Sequence, residues 1–302
     1  MARESTTRSI AADAIGDCAR DDSLLDNEFS LSDREFNEIR VVVKKLTGIS
    51  IGDSKRQLVY RRIAKRLKAT NINTFQGYLD YLKNGDPSEH EHFANAVTTN
   101  LTSFFREKHH FDFLAKTIIP EIEASKGNSG KRLRIWSAGC STGEEPYSIA
   151  ITLRESLKNL NDWDAKVLCT DLDSAVLNTC RAGEYSLQRA ENIPTDQLRR
   201  WFKKSQAQDV VQLKVKPALL ELLTFRQLNL MDDWPMRGLF DVIFCRNVII
   251  YFDKPTQRVL IDRYADILEA GGYLILGHSE SLFSVTDRFS LIGKTIYRKK
   301  TR

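Results

Sequence analysis

No run of about 18 apolar residues occurs in the chain, so no segment reads as a membrane-spanning helix. The first residues lack the apolar stretch of a signal peptide, and a soluble, cytoplasmic protein is expected. Cysteine is sparse and unpatterned: Cys18, Cys140, Cys169, Cys180 and Cys245 form no C-x-x-C pair and are odd in number. A disulfide framework and a zinc knuckle are thereby disfavoured, and a reduced compartment is favoured. Internal repeats and low-complexity tracts are absent, which sets aside repeat architectures. Charge of one sign is not in large excess either. The 45 basic and 40 acidic residues leave a formal net charge of +5, so a local basic patch carries more meaning than the total.

What is present suffices for a substantial core: 302 residues, 42% of them hydrophobic, fit one large or two modest domains. Residues 1–27 are polar and aperiodic and read as a disordered tail. Helical spacing starts after Leu31, with Ser32 or Asp33 as N-cap and Phe36, Ile39, Val43 and Leu46 on one stripe, ended by Gly48. Further helices are expected over Ser54–Lys68, Phe75–Leu82 and Glu89–Thr98, followed by a turn and an amphipathic helix reaching Ile122. Beyond them strands and helices alternate. Candidate strands are Leu133–Ser137, Lys166–Thr170, Leu223–Gln227, Phe240–Phe244, Tyr273–Leu276 and one near Leu291–Arg298. Helices such as Ser174–Ala182 and Thr256–Glu269 lie between them, the latter stopped by Gly271 and Gly272. This order implies an α/β fold with a mostly parallel sheet covered on both faces. About 40 residues separate Ala182 from Leu223, too many for an ordinary connection. Val211, Leu213 and Val215 alternate there with Gln212, Lys214 and Lys216, so a small antiparallel unit is expected as an insert.

The most informative stretch is Arg134–Ile151. An apolar strand runs into a turn bracketed by Gly139 and Gly143, and Glu144-Glu145-Pro146 opens a helix with Pro146 read at its first position. Ile149, Ala150, Leu153 and Leu157 give that helix its apolar stripe. Such a strand–turn–helix begins a nucleotide-binding sheet, whose ligands sit at the carboxyl ends of the strands. A dinucleotide turn would carry G-x-G-x-x-G with an acid about 20 residues on. The close glycine pair is missing, and Asp171, which ends the second strand, lies well beyond that spacing. S-adenosylmethionine fits better. Its ribose wants an acid such as Asp171, its carboxylate an Arg or backbone N–H groups, and its ammonium acceptors. Further contacts are expected from the ends of the third and fourth strands, at Asn229-Leu230 and Arg246-Asn247.

At this point the chain resembles a known family. Thr98–Glu107, Ser141–Ser148, Phe244–Phe252 and Gly277–Ser281 are similar, in order, to the motifs of the CheR family of chemotaxis receptor methyltransferases. The resemblance spans roughly residues 28–300. It implies a Rossmann-like S-adenosylmethionine-dependent methyltransferase domain over 118–302, carrying the small inserted antiparallel β-subdomain at about 184–221. An all-α N-terminal domain over 28–117 would precede it. It further implies transfer of a methyl group to glutamates of chemoreceptors, with glutamyl methyl ester and S-adenosylhomocysteine as products. By the same resemblance Asn100, Thr102, Arg106, Glu145, Asp171, Asn229, Leu230, Arg246 and Asn247 are expected to contact the cofactor. Arg106 and Tyr251 are the candidates for arranging the reacting groups.

The chemistry accounts for an absence. A glutamate, with an ordinary pKa of about 4.3, is already ionised at neutral pH, so methylating it requires no general base. No His/Asp or paired-carboxylate constellation is needed, and none is evident. His109 and His110, or His90 and His92, show no third ligand at metal-site spacing, and no metal is expected. Cys140 and Cys245 read as packing residues. A nucleic-acid methyltransferase would place Asn/Asp-Pro-Pro-aromatic after the fourth strand, where Asn247-Val248-Ile249-Ile250 stands. A cofactor-binding scaffold without activity is the other class, against which Arg106, Asp171 and Tyr251 speak.

In the helix at 54–68, Leu58, Ile63 and Leu67 mark the expected buried side, and no acid follows Asp53. Lys55, Arg56, Arg61, Arg62, Lys65 and Arg66 then form a docking face for an acidic partner such as the Glu-rich cytoplasmic helices of chemoreceptors. No nucleic-acid reader motif accompanies it. The membrane is expected to be approached only through receptors, by a monomer. In the family the β-subdomain can bind a receptor's C-terminal peptide by strand addition. The glycine-free turn expected at Lys203–Asp209 leaves that tether open here.

Overall fold

The computed structural model describes residues 28–126, 130–207 and 210–301. The expected tail, and Cys18 with it, lies outside the described residues. Packing divides the chain into two units, one reaching Leu46 and including Ile51–Val97, the other comprising Thr47–Ser50 and everything from Thr98 onward. This division falls earlier than residue 117, because Phe104, Phe111, Leu114 and Ile118 are buried in the core of the second unit.

The first unit is helical: α1 (Asp33–Thr47), α2 (Arg56–Thr70), α3 (Phe75–Asn84) and α4 (Ser88–Val97). Ser32 and Glu35 close a reciprocal cap on α1. The Ser32 N–H donates to the Glu35 carboxylate at 2.8 Å, and the Glu35 N–H returns to the Ser32 hydroxyl at 3.3 Å. Phe36, Ile39, Val43, Ile63, Leu67, Phe75, Tyr78 and Phe93 fill the core. Leu58, expected inside, is 40% exposed, and Val59 and Tyr60 take the buried side. Leu58 precedes Ile63 by five residues, which on a helix turns it well away from the face that Ile63 and Leu67 bury; α2 itself begins at Arg56, after a one-turn 3-10 helix over Asp53–Lys55.

The second unit opens with α5 (His109–Phe113), a π-helical turn (Leu114–Ile118) and α6 (Ile119–Lys126). There follow β1 (Arg132–Ala138), α7 (Glu144–Ser156), β2 (Asp164–Asp171) and α8 (Ser174–Ala182). The insert holds β3 (Glu184–Ser186), α9 (Thr195–Trp201), β4 (Phe202–Ala207) and β5 (Val210–Val215). After it come α10 (Pro217–Leu220), β6 (Leu223–Gln227), β7 (Phe240–Cys245), α11 (Lys254–Ile267), β8 (Leu268–Leu276), β9 (Phe289–Gly293) and β10 (Ile296–Lys299).

Seven strands form one sheet in the order β6-β2-β1-β7-β8-β10-β9, and β3-β5-β4 form a second, antiparallel one. The first five strands of the large sheet run parallel, and β10 runs antiparallel to both β8 and β9. The period-two alternation of the strands splits the core. Ile135, Val167, Val242 and Ile275 join one cluster, and Trp136, Ile243, Cys245 and Leu274 the other, so both faces of the sheet are covered. The order reverses between β1 and β7, which is where ligands bind at the carboxyl ends of such sheets.

Four sequence expectations shift. Gly271 and Gly272 lie inside β8, where its register with β7 slips, and α11 has already ended at Ile267. The single last strand is a hairpin of β9 and β10. Lys294 and Thr295 turn it with φ of 47° and 62°, the backbone a tight hairpin needs. Residues 203–207 belong to β4 rather than to a turn, and Ala207 pairs with Val210 across 208–209, which lie outside the described residues. Pro146 stands third in α7, not first, since the helix begins at Glu144. An N–H there has no intrahelical partner in any case, so proline is tolerated.

Candidate functional site

β1, β2, β6 and β7 all end on one side of the sheet, and the segments that follow them meet there. After β1 the backbone turns sharply: Gly139 has φ of 85° and Gly143 102°. A Cβ on Gly139 would stand 2.5 Å from Val248 Cγ2, so a side chain there would push the turn away from the segment after β7. The Gly139 and Cys140 N–H groups donate to the Thr170 carbonyl at 2.8 and 2.9 Å, which ties the turn to the end of β2.

Asp171, at that end, is 8% exposed. Its carboxylate accepts from the Ser141 N–H at 2.8 Å and the Asp173 N–H at 3.0 Å. Burial pushes its pKa up to about 6, against the pull of these backbone donors. Asp173, which the sequence reading passed over, caps α8 through the Ala175 N–H. Its other oxygen receives Thr98 Oγ1 at 3.1 Å and Asn100 Nδ2 at 2.7 Å. A D-x-D pair at a strand end was the available signal.

Residues 98–107 form a strap across the strand ends. The Asn100 carbonyl accepts from Ser141 Oγ at 2.9 Å, and the Phe105 N–H donates to Ser148 Oγ at 2.9 Å. Phe104 is fully buried, edge-on to Tyr185 and Phe202 of the insert. Thr102 and Arg106 are half-buried on this strap, and Arg106 Nη1 donates to the Leu101 carbonyl at 2.9 Å.

Beneath the strap lies a run of charges. Arg246 is 7% exposed; it donates to Glu145 at 2.9 Å and to the Arg106 carbonyl, and stands 3.6 Å from Glu107. Glu145 accepts from Ser137 Oγ at 2.7 Å through its other oxygen. Each carboxylate oxygen keeps a second lone pair for a donor in the cleft. Glu107 also binds His278 Nδ1 at 2.9 Å. Burial works against its ionisation, yet the His278 hydrogen bond and the Arg246 charge hold its carboxyl below the usual range. Glu107, His109 and His110 bring ligand atoms within 4.8 Å of one another, supplying the third group the sequence did not reveal. The guanidinium of Arg246 opposes a cation there.

After β7, Asn247 takes φ of 58°, and Tyr251 sits half-buried at the end of a single 3-10 turn, Ile249–Tyr251. After β6, Asn229 closes an Asx-type turn: Oδ1 accepts from the Met231 N–H at 3.1 Å. Leu230 is 8% exposed within the core, and its carbonyl accepts from Trp234 Nε1 at 3.3 Å and Arg263 Nη1 at 2.7 Å. Arg263 lies 4.0 Å over the Trp234 ring, and Trp234 packs edge-on to Trp136 and stacks on Tyr264. These residues brace the β6 segment, and their wide spacing in sequence hid them.

The strap, the glycine turn and the β2 and β7 ends thus bring Asn100, Arg106, Glu145, Asp171, Arg246 and Asn247 to the carboxyl ends of the parallel strands. In the helical unit the expected docking face is partly spoken for. Arg66 forks onto Glu89 at 2.9 and 2.7 Å, Arg62 donates to the Val97 carbonyl at 2.7 Å, and Arg56 to Asp33 at 2.7 Å. By solvent exposure alone, Lys55 and Lys65 are exposed and Arg61 is half-buried.

Residues 34–98 match the CheR methyltransferase all-alpha domain, and residues 100–298 the CheR methyltransferase SAM-binding domain. Chemotaxis protein methyltransferase 2 of Pseudomonas aeruginosa is 42% identical over 271 residues, 89% of this chain and 94% of that protein. The chemotaxis protein methyltransferase of Escherichia coli is 39% identical over 271 residues, 89% and 91% of the two chains. A probable chemotaxis protein methyltransferase of Rhizobium etli is 40% identical over 258 residues, 84% and 96%. With both domains matched in order and the buried acid at the end of β2 in place, the chain belongs to the CheR methyltransferase family and carries its S-adenosylmethionine-binding domain.

Proposed function

We propose that this protein is a protein-glutamate O-methyltransferase that modifies the cytoplasmic helices of chemoreceptors. The observation that carries the reading is Asp171, a buried carboxylate at the carboxyl end of β2, held against the glycine turn by the Ser141 N–H at 2.8 Å, within the S-adenosylmethionine-binding domain.

Bound there, S-adenosylmethionine supplies a methyl group on a positively charged sulfur; to a glutamate oxygen it would give up the methyl carbon, with the electron pair of the broken carbon–sulfur bond left on sulfur. Asp171 accepts the ribose hydroxyls, and Asn229 and Leu230 border the adenine. Asn100, Thr102, Arg106, Glu145, Arg246 and Asn247 hold the methionine end, Arg106 by its charge and Glu145 by its spare lone pairs. Arg246 pairs with Glu145 at 2.9 Å in a buried setting and so fixes where that carboxylate points. Tyr251 orients the incoming glutamate. No proton moves. An anion and a cation become two neutral products, so excluding water and aligning the groups supply most of the acceleration.

Receptor helices approach the basic side of α2, where Lys55, Arg61 and Lys65 attract acidic partners. The protein works in the cytoplasm as a monomer. The small sheet β3-β5-β4 offers an edge for a receptor C-terminal peptide. The test is methyl-labelled cofactor with a panel of receptors, followed by mild base. Label on receptor that base releases as methanol is expected. Base-stable label overturns the ester chemistry, and absence of transfer with adenosylhomocysteine still bound leaves only a scaffold.

A further inference from the structure

Glu280 belongs to a short motif after β8, and none of the roles above uses it. It is 3% exposed, in a loop that turns back on itself through the Glu280 N–H to the Gly277 carbonyl at 2.9 Å. Its carboxylate is surrounded by backbone donors. Oε2 accepts from the Asn247 N–H at 2.9 Å and the Gly277 N–H at 2.6 Å. Oε1 accepts from the Val248 N–H at 2.9 Å and the Ile250 N–H at 3.3 Å. Three of these four amides lie in the segment that connects Arg246 to Tyr251.

That segment cannot hold its shape unaided. Asn247 is in the left-handed region at φ of 58°, which costs a non-glycine residue energy, and the segment leaves β7 without entering a regular helix until Lys254. A buried N–H with no acceptor is costly, so three neighbouring amides need one. A second observation points the same way. A Cβ on Gly277 would stand 2.5 Å from Asn247 Nδ2 and 2.9 Å from Asn247 N, so the two segments touch only because residue 277 is glycine.

We infer that Glu280 is the positioning residue of the methyl-transfer site: a single buried carboxylate that clamps the Asn247–Ile250 backbone and thereby aims Asn247 and Tyr251 into the cleft. It touches neither cofactor nor substrate. This deepens, and rests on, the proposed transfer reaction. Burial raises the Glu280 carboxyl above its ordinary value, while the four amides pull it back and favour the ionised form that can accept all of them. Glutamine keeps the shape but presents an NH2 to amides that need an acceptor. Aspartate keeps the charge but falls one methylene short.

The experiment compares Glu280→Gln and Glu280→Asp with the unsubstituted protein in receptor methylation and in amide hydrogen exchange. In Glu280→Gln the amides of Asn247, Val248, Ile250 and Gly277 should lose at least tenfold of their protection, while those of β1 and β2 keep theirs. The kcat should fall at least tenfold with the KM for receptor within twofold, and Glu280→Asp should lie between the two proteins. Freed amides with unchanged kcat overturn the inference, because the segment's position would then not matter. Unchanged amides overturn it whatever the rate. Loss of protection across β1 and β2 in both variants makes Glu280 a folding residue and also overturns it. If the unsubstituted protein methylates no receptor, the proposed activity fails instead. The affinity for adenosylhomocysteine then replaces kcat: at least a tenfold loss in Glu280→Gln supports the clamp, and an unchanged value removes it.

Discussion

Asp171 illustrates how one side chain can oppose folding and serve binding. Its pKa, raised by burial to about 6 from 3.8, means the neutral form contributes stability below 3.8 that is lost as pH rises through about 6. Near neutral pH the ionised carboxyl is therefore held at a cost, which the two ribose hydroxyls of the proposed binding mode would offset by donating to it. Thermal stabilisation by adenosylhomocysteine should accordingly be larger at pH 7.5 than at pH 5. Equal shifts at the two pH values, measured by calorimetry, would separate Asp171 from the ligand. Arg106 is a different case, because among the described residues its guanidinium donates only to the Leu101 carbonyl. Arg106→Ala should keep the melting temperature within a few degrees and lose methyl transfer by about a hundredfold. Near-normal turnover would remove it from the chemistry.

Among the elements, the turn after β1 has the least freedom. Gly139→Ala meets both a left-handed φ of 85° and the methyl of Val248, for a cost of roughly 2 kcal/mol. Its sharper effect should be on the segment after β7, so cofactor affinity is expected to drop more than stability does. Calorimetric titration beside a denaturant midpoint distinguishes the two. This turn was legible in the sequence because glycines, a buried strand and a helix start sit within one window. The β2 acid was legible for the same reason. Asp173 and Glu280 were not, since their partners lie 73 and 33 residues away and only the folded backbone brings them together. The doubled glycine at 271–272 misled for a physical reason: it looks like a helix stop, yet here it accommodates a register slip within β8. The basic helix was over-read in a similar way. A run of arginines without acids suggests an open face, but Arg66 finds its acid at Glu89, on another helix.

For the whole molecule, catalysis on a receptor requires docking as well as chemistry. The Arg61→Glu, Lys65→Glu double variant should raise the KM for receptor about tenfold at low ionic strength and much less in high salt, with kcat kept. Initial rates across a salt series decide this, and a KM that ignores both charge and salt removes α2 from the interface. Arg66 is unsuitable for the purpose. Glu89, 4% exposed, receives its fork and the Tyr78 hydroxyl at 2.5 Å. Burial works against the Glu89 carboxylate, and these two donors keep it below the ordinary range. Removing one partner of such a pair costs about 3 kcal/mol, so Glu89→Gln should lower the melting point of the helical unit.

The order of strands also has a consequence for how the protein is made. β10 lies between β8 and β9, yet it leaves the ribosome after every other strand of the large sheet. Until then β8 presents an unpaired hydrogen-bonding edge, and His110 Nε2 lacks the Lys294 carbonyl that it meets at 3.0 Å in the folded chain. An open β8 edge of this kind is a template for pairing with another chain, so β10 shields the sheet as well as completing it.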